Sequence, residues 1–150
     1  MRFERFDVKY DRTIFDCGYQ AINHYLWNMA NQHHKKGISK THLLVDGDEI
    51  LGFYTLSNIS IDNQTGFIKG YPRQIPAVLI GRMGVSVKYQ GQGLSKTLLS
   101  HAINKVQALS LDTGIAFVMI DAKTDELSQY YQRLGFKSID GLLLLAIQQS

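Results

Sequence analysis

No disulfide can form within this chain, because Cys17 is its single cysteine in 150 residues. Proline is scarce, occurring at Pro72 and Pro76, and charged residues make up 19% against 45% hydrophobic, a balance that excludes long disordered tails or linkers. No stretch approaches the roughly 18 apolar residues that span a bilayer, and the longest apolar run, Leu142 to Ile147, has the length of a strand. The opening Met1-Arg2-Phe3-Glu4-Arg5 lacks the apolar run of a signal peptide. Repeats and low-complexity tracts are also missing. The expectation is one domain over residues 1–150, soluble, cytoplasmic and without membrane contact. Net charge is +3 and the sequence pI is near 9.0, with His33, His34, Lys35 and Lys36 adjoining and Lys40 close behind. Such a run suits a polyanionic partner, or simply a solvated helix end facing the negative pole of its own dipole.

Periodicity supplies the elements. Phe3 to Lys9 alternates loosely as a first strand, and Ile22, Tyr25, Leu26, Met29 and Ala30 recur at three and four, predicting one amphipathic helix from about Asp16 to His34 that ends at Gly37. Thr41–Val45 and Glu49–Ile61 flank Asp46-Gly47-Asp48, a hairpin signature. Residues 62–76 read as a loop and Ala77–Val87 as a long strand. Gly91 and Gly93 then precede a helix traced by Leu94, Leu98, Leu99, Ala102, Ile103, Val106 and Leu109. Ile115–Ile120 reads as a strand, Leu127, Tyr130, Tyr131 and Leu134 as a third helix capped by Gly135, and Leu142–Ile147 as the closing strand. The class is α+β, helices on a mixed, largely antiparallel sheet.

The segment Arg82 to Lys96 carries the chemistry. Its strand, glycine turn and helix start let backbone N–H groups of Gln92 to Lys96 converge where the helix dipole is positive, so an anion such as a diphosphate fits there. Tight packing alone also explains such glycines. No Lys-Ser or Lys-Thr completes a P-loop, and the third glycine of a dinucleotide fingerprint is missing.

Gln90-Gly91-Gln92-Gly93-Leu94-Ser95 resembles the coenzyme A signature of the GNAT superfamily of N-acetyltransferases, with Ser95 departing from the usual small apolar ending. Gln129-Tyr130-Tyr131-Gln132-Arg133-Leu134-Gly135-Phe136 looks like a second element of that superfamily. The resemblance implies the GNAT fold, a twisted sheet with a splayed central strand and helices on both faces. It implies acetyl-coenzyme A as cosubstrate, held by Gln90, Gly91, Gln92, Gly93, Leu94, Ser95 and Lys96, with backbone of Met83 and Val85 pairing with pantetheine. Tyr131 is implied as the acid that protonates the departing thiolate, with Tyr130 as packing; the plain alternative is that Tyr131 is core.

The likeness extends through Phe15-Asp16-Cys17-Gly18, Tyr25-Leu26, the 33–36 basic run, Gly52 to Ser57 and Ile75 to Met83. Over nearly its whole length the chain is similar to the GNAT toxins of bacterial type II toxin–antitoxin modules, departing at Gly84 and Ser86, where Ala and Asp are common. That implies acetylation of the α-amine of an aminoacyl-tRNA, a translation block, and a partner antitoxin with a ribbon-helix-helix part; a homodimer stays open. An α-amine with pKa ~7.8 is roughly a quarter neutral at pH 7.4, a lysine amine about 0.1%, so this acceptor needs little help from a base. Glu49 and Asp62 are the unplaced carboxylate candidates. Lys35, Lys36, Arg73, Arg82 and Lys88 are the candidate substrate contacts, and no metal is called for. Rival readings are a housekeeping GNAT acting on a small amine, protein N-terminus or lysine, and a non-catalytic binding module. Cys17 reads as a buried structural thiol.

Overall fold

The structure is a computed structural model, and it describes residues 1–149. Hydrogen bonding orders its seven strands β1-β2-β3-β4-β5-β7-β6. They are β1 (Arg2–Arg5), β2 (Lys40–Asp46), β3 (Glu49–Asp62), β4 (Gln74–Val85), β5 (Phe117–Ile120), β6 (Lys137–Ile139) and β7 (Leu142–Ala146). The helices are α1 (Gln20–His24), α2 (Ala30–Lys36), α3 (Leu94–Leu109) and α4 (Asp125–Arg133), with a π-helical turn at Tyr25–Met29 and a 3-10 turn at Val87–Tyr89. Among the described residues no helix is long and apolar enough to cross a membrane. The chain divides into two compact units, one of residues 1–57 and 81–102, the other of 58–80 and 103–149.

In the first unit β1 pairs antiparallel with β2 and β2 with β3 through the Asp46–Glu49 hairpin, its Gly47 in the left-handed region that an Asp-Gly turn requires. Strand β1 stops at Arg5, short of the expected Lys9, because the Asp7 carboxylate accepts the Lys9 N–H and its carbonyl the Tyr10 N–H, closing a turn. The first helix also starts later than Asp16, at Gln20. Asp16 accepts from the Gly18 N–H and the Asn23 amide, and the Asn23 carbonyl accepts from the Cys17 N–H, so 16–18 is a braced loop. One apolar core joins Phe6, Tyr10, Phe15, Ile22, Leu26 and Phe53. Gly37 ends α2 in the left-handed conformation, as expected of a C-cap glycine.

In the second unit β4 pairs parallel with β5 from Ala77↔Phe117 to Ile80↔Ile120, and β7 pairs antiparallel with both β5 and β6. Strand β4 begins at Gln74, three residues before the predicted start. Pro76 is tolerated inside it because its carbonyl still accepts the Ala116 N–H although it has no donor of its own. Three-residue β6 went unanticipated, since so short a run shows no periodicity. The loop between β3 and β4 is built on buried Asn63, whose side chain bonds Ile68 N–H and C=O at 2.9 Å each. Helix α4 is capped by Thr124, which accepts the Leu127 N–H at 3.1 Å.

Candidate active site

The β4–β5 register closes at Ile80↔Ile120, the last residue of β5, and β4 runs on to Val85. Its backbone is held from the β3 side instead: the Arg82 N–H donates to the buried Thr55 hydroxyl at 3.0 Å, and the Ser86 N–H to the Leu51 carbonyl at 2.8 Å. Met83 and Val85, the expected pantetheine partners, lie on this segment. The Val85 carbonyl already accepts from the Gln90 amide at 2.9 Å, which narrows what that group offers a ligand. The same amide donates to the Cys17 carbonyl at 2.9 Å, so the side chain of Gln90 braces the glycine turn against β4 and the 16–18 loop.

Gly91 and Gly93 have φ of +82° and +80°, a region that side chains disfavour, and a Cβ at either would meet nothing within 4 Å. The backbone there is open as well as glycine-dependent. The Thr97 N–H closes the first turn of α3 on the Gly93 carbonyl, which leaves the N–H groups of Gly93, Leu94, Ser95 and Lys96 without a partner inside the helix. Leu94 is buried and anchors the turn, whereas Ser95 and Lys96 are exposed. No acidic residue stands in this first turn, so nothing competes with an incoming anion. A pyrophosphate fits this cradle by backbone donors and by charge.

Gly84 has a packing reason. An alanine Cβ would lie 3.1 Å from both Cys17 Cβ and Ile22 Cγ2, so the space an alanine would use is filled by Cys17. Cys17 is buried, as expected, and burial pushes its thiol pKa up, away from nucleophilic use.

The candidate cations differ in their surroundings. Lys35 and Lys36 are exposed in the last turn of α2. Lys88 lies 3.5 Å from Glu49, whose other oxygen accepts the Tyr89 hydroxyl. Glu49 is thereby engaged rather than poised as a base. The Arg82 guanidinium stacks 4.0 Å above the Tyr25 ring. Both histidine rings of the run have partners: the His33 Nδ1 bonds the Tyr25 hydroxyl at 3.1 Å, and the ring of His34 packs on Phe6. Burial first, then Lys40 and Arg5, hold the His34 pKa below its ordinary value, so that ring adds little charge to the basic run at neutral pH.

The second unit carries Tyr131 and Arg73. Arg73 is 3.9 Å from Asp62, which also caps the Gln64 N–H, so this second carboxylate is engaged too. Tyr131 is 6% exposed and packs against Phe136, while Tyr130 is only half-buried. Burial is therefore the reverse of the expectation that Tyr130 supplies the packing. Desolvation, then neighbouring Tyr130, raises the Tyr131 pKa and keeps the phenol protonated at neutral pH. Sequence reading missed Tyr25, Thr55 and the bracing by Asn23; the usable signal was Asn23 itself, a polar residue inside an apolar stripe.

Residues 37–138 match the acetyltransferase (GNAT) domain family, a segment holding both the glycine turn and Tyr131. The tRNA-acetylating toxin of Mycobacterium tuberculosis is 28% identical over 130 residues, covering 85% of this chain and 78% of that protein. The solved structure of AtaT complexed with acetyl-methionyl-tRNAfMet superposes with a TM-score of 0.86 at 28% identity, over 97% of this chain and 94% of AtaT. A tyrosine-to-phenylalanine mutant of AtaT, bound to the C-terminus of the antitoxin AtaR and acetyl-CoA, gives a TM-score of 0.85 at 28% identity over 97% and 92% of the two chains. With a family match over more than half its length, spanning a glycine turn whose open backbone suits a pyrophosphate, this chain belongs to the GNAT acetyltransferases.

Proposed function

We propose that this protein transfers the acetyl group of acetyl-coenzyme A to the α-amine of an aminoacyl-tRNA, blocks translation, and acts as the toxin of a toxin–antitoxin pair. The observation that carries this is the likeness over 97% of the chain to a toxin solved with an acetylated aminoacyl-tRNA. Residues 1–150 serve as one acetyltransferase domain. Acetyl-coenzyme A, when bound, supplies the activated acetyl thioester. Backbone N–H groups from Gln92 to Lys96 hold its pyrophosphate, and β4 at Met83 and Val85 offers backbone to its amide-bearing arm. Tyr131 gives its phenol proton to the thiolate as the carbon–sulfur bond breaks and the amine nitrogen bonds the acetyl carbon. The proton lost from the amine leaves through water, since an α-amine is already substantially neutral and both carboxylate candidates are engaged. Lys35, Lys36, Arg73, Arg82 and Lys88 grip tRNA phosphates.

A ribbon-helix-helix antitoxin encoded beside this protein, a homodimer and a cytoplasmic site of action complete the reading. Its test incubates the enzyme with acetyl-coenzyme A and a pool of charged tRNAs and looks for N-acetylated aminoacyl esters by mass spectrometry. Their formation supports the toxin reading. If none forms while a free amine or peptide is acetylated efficiently, a housekeeping acetyltransferase replaces it.

A further inference from the structure

The candidate substrate cations are not equally available. Lys88 and Arg73 each lie within 4.0 Å of a carboxylate, so part of each charge is already matched. Arg82 enters no ion pair among the described residues. What holds it is the face of Tyr25, 4.0 Å from the guanidinium carbon to the ring centre. A π face attracts a cation without neutralising it, and among the described residues no hydrogen bond or ion pair occupies the N–H fork that grips phosphate oxygens.

Tyr25 is itself held in place. It is 1% exposed, its ring stands edge-on to His33 at 5.4 Å, and its hydroxyl is tied to the His33 Nδ1. It also opens the π-helical turn Tyr25–Met29, a rare local widening of a helix that is often found at functional sites. At the other end, the Thr55 hydroxyl fixes the Arg82 backbone. Backbone and ring together define where the guanidinium sits and leave its fork free.

We propose that Tyr25 is a positioning residue for substrate recognition: its ring presents the Arg82 guanidinium, with charge and hydrogen-bond fork intact, to a phosphate of the aminoacyl-tRNA. This rests on the aminoacyl-tRNA reading above and assigns the residue pair that receives that substrate. The test uses the full chain and compares Tyr25→Phe with 3,4,5-trifluorophenylalanine at position 25, each with and without Arg82→Ala. The two rings have nearly the same shape, but fluorine withdraws the electron density that attracts the cation. KM for charged tRNA should rise about 3- to 10-fold from phenylalanine to its fluorinated form, while kcat, KM for acetyl-coenzyme A and the melting temperature stay equal. In the Arg82→Ala background the difference should vanish, because the ring acts only through that guanidinium. Equal tRNA KM for the two rings, with Arg82→Ala itself impaired, overturns the positioning role and leaves the tRNA reading standing. A wild-type enzyme that acetylates no aminoacyl-tRNA overturns both.

Discussion

In its proposed role Tyr131 combines a buried ring packed in the core with a proton to be given away. Desolvation raises its pKa and so keeps the phenol protonated, in the form the proposed proton transfer requires, at neutral pH. Tyr131→Phe removes only the hydroxyl, so kcat should fall roughly 100-fold or more with the melting temperature little changed. Tyr130→Phe is the control and should be nearly silent. The sign of the pH effect follows: the active form is the protonated one and its pKa is raised, so the alkaline limb of kcat attributable to Tyr131 should lie above the ordinary phenol value of about 10. Wild-type turnover in Tyr131→Phe would remove the residue from the mechanism. At this scale the pair Tyr130-Tyr131 was legible as a motif, but which ring faces inward was not, since adjacent positions on a short helix both border the apolar stripe.

At the scale of elements, two devices set the site. The first is the glycine turn before α3, where positive φ at Gly91 and Gly93 and orphan N–H groups support the proposed anion cradle. Gly93→Asp adds a side chain where φ is +80° and a negative charge where phosphate must approach. Calorimetry should find acetyl-coenzyme A affinity reduced by about 100-fold or more, since a cradle of this kind works by charge and close backbone approach together. An unchanged affinity in that variant sinks the assignment. The second device is the π-helical turn. Apolar spacing of three and four from Ile22 to Ala30 is compatible with an unbroken helix, and one widened turn shifts the stripe too little for sequence periodicity to register.

For the whole molecule the relevant quantity is a modest excess of positive charge, +3, distributed unevenly. Lys35 and Lys36 are exposed at the C-terminal end of α2 and each can neutralise a phosphate. Each such contact releases counterions, so tRNA binding should weaken with salt by a log–log slope near −0.7 per single-strand contact. Replacing both lysines with alanine should make the slope shallower by about 1.4 while leaving acetyl-coenzyme A binding, measured separately, unaltered. An identical slope in that double variant means that α2 does not touch the tRNA. His34 is expected to contribute little to this slope at neutral pH, because burial holds its pKa below the ordinary value.

Sequence alone determined the features that depend on local chemistry. The Asp-Gly hairpin, Gly37 as a helix stop, the glycine turn before α3 and the Tyr131-to-Phe136 element follow from which backbone conformations and spacings those residues allow, and those motifs carried the family. Tertiary structure decided what depends on partners distant in the chain. Gln90 became a brace because Cys17 and Val85 present their carbonyls to it, and a Cβ at Gly84 would crowd Cys17 and Ile22 at 3.1 Å. Glu49 is engaged because Tyr89 and Lys88 come to it across 40 and 39 positions of chain. Arg82 enters no ion pair among the described residues, and what lies against its guanidinium is an aromatic ring rather than a carboxylate. None of these pairings leaves a periodic or compositional trace, because each is a single contact made only once the strands and helices have brought its two residues together.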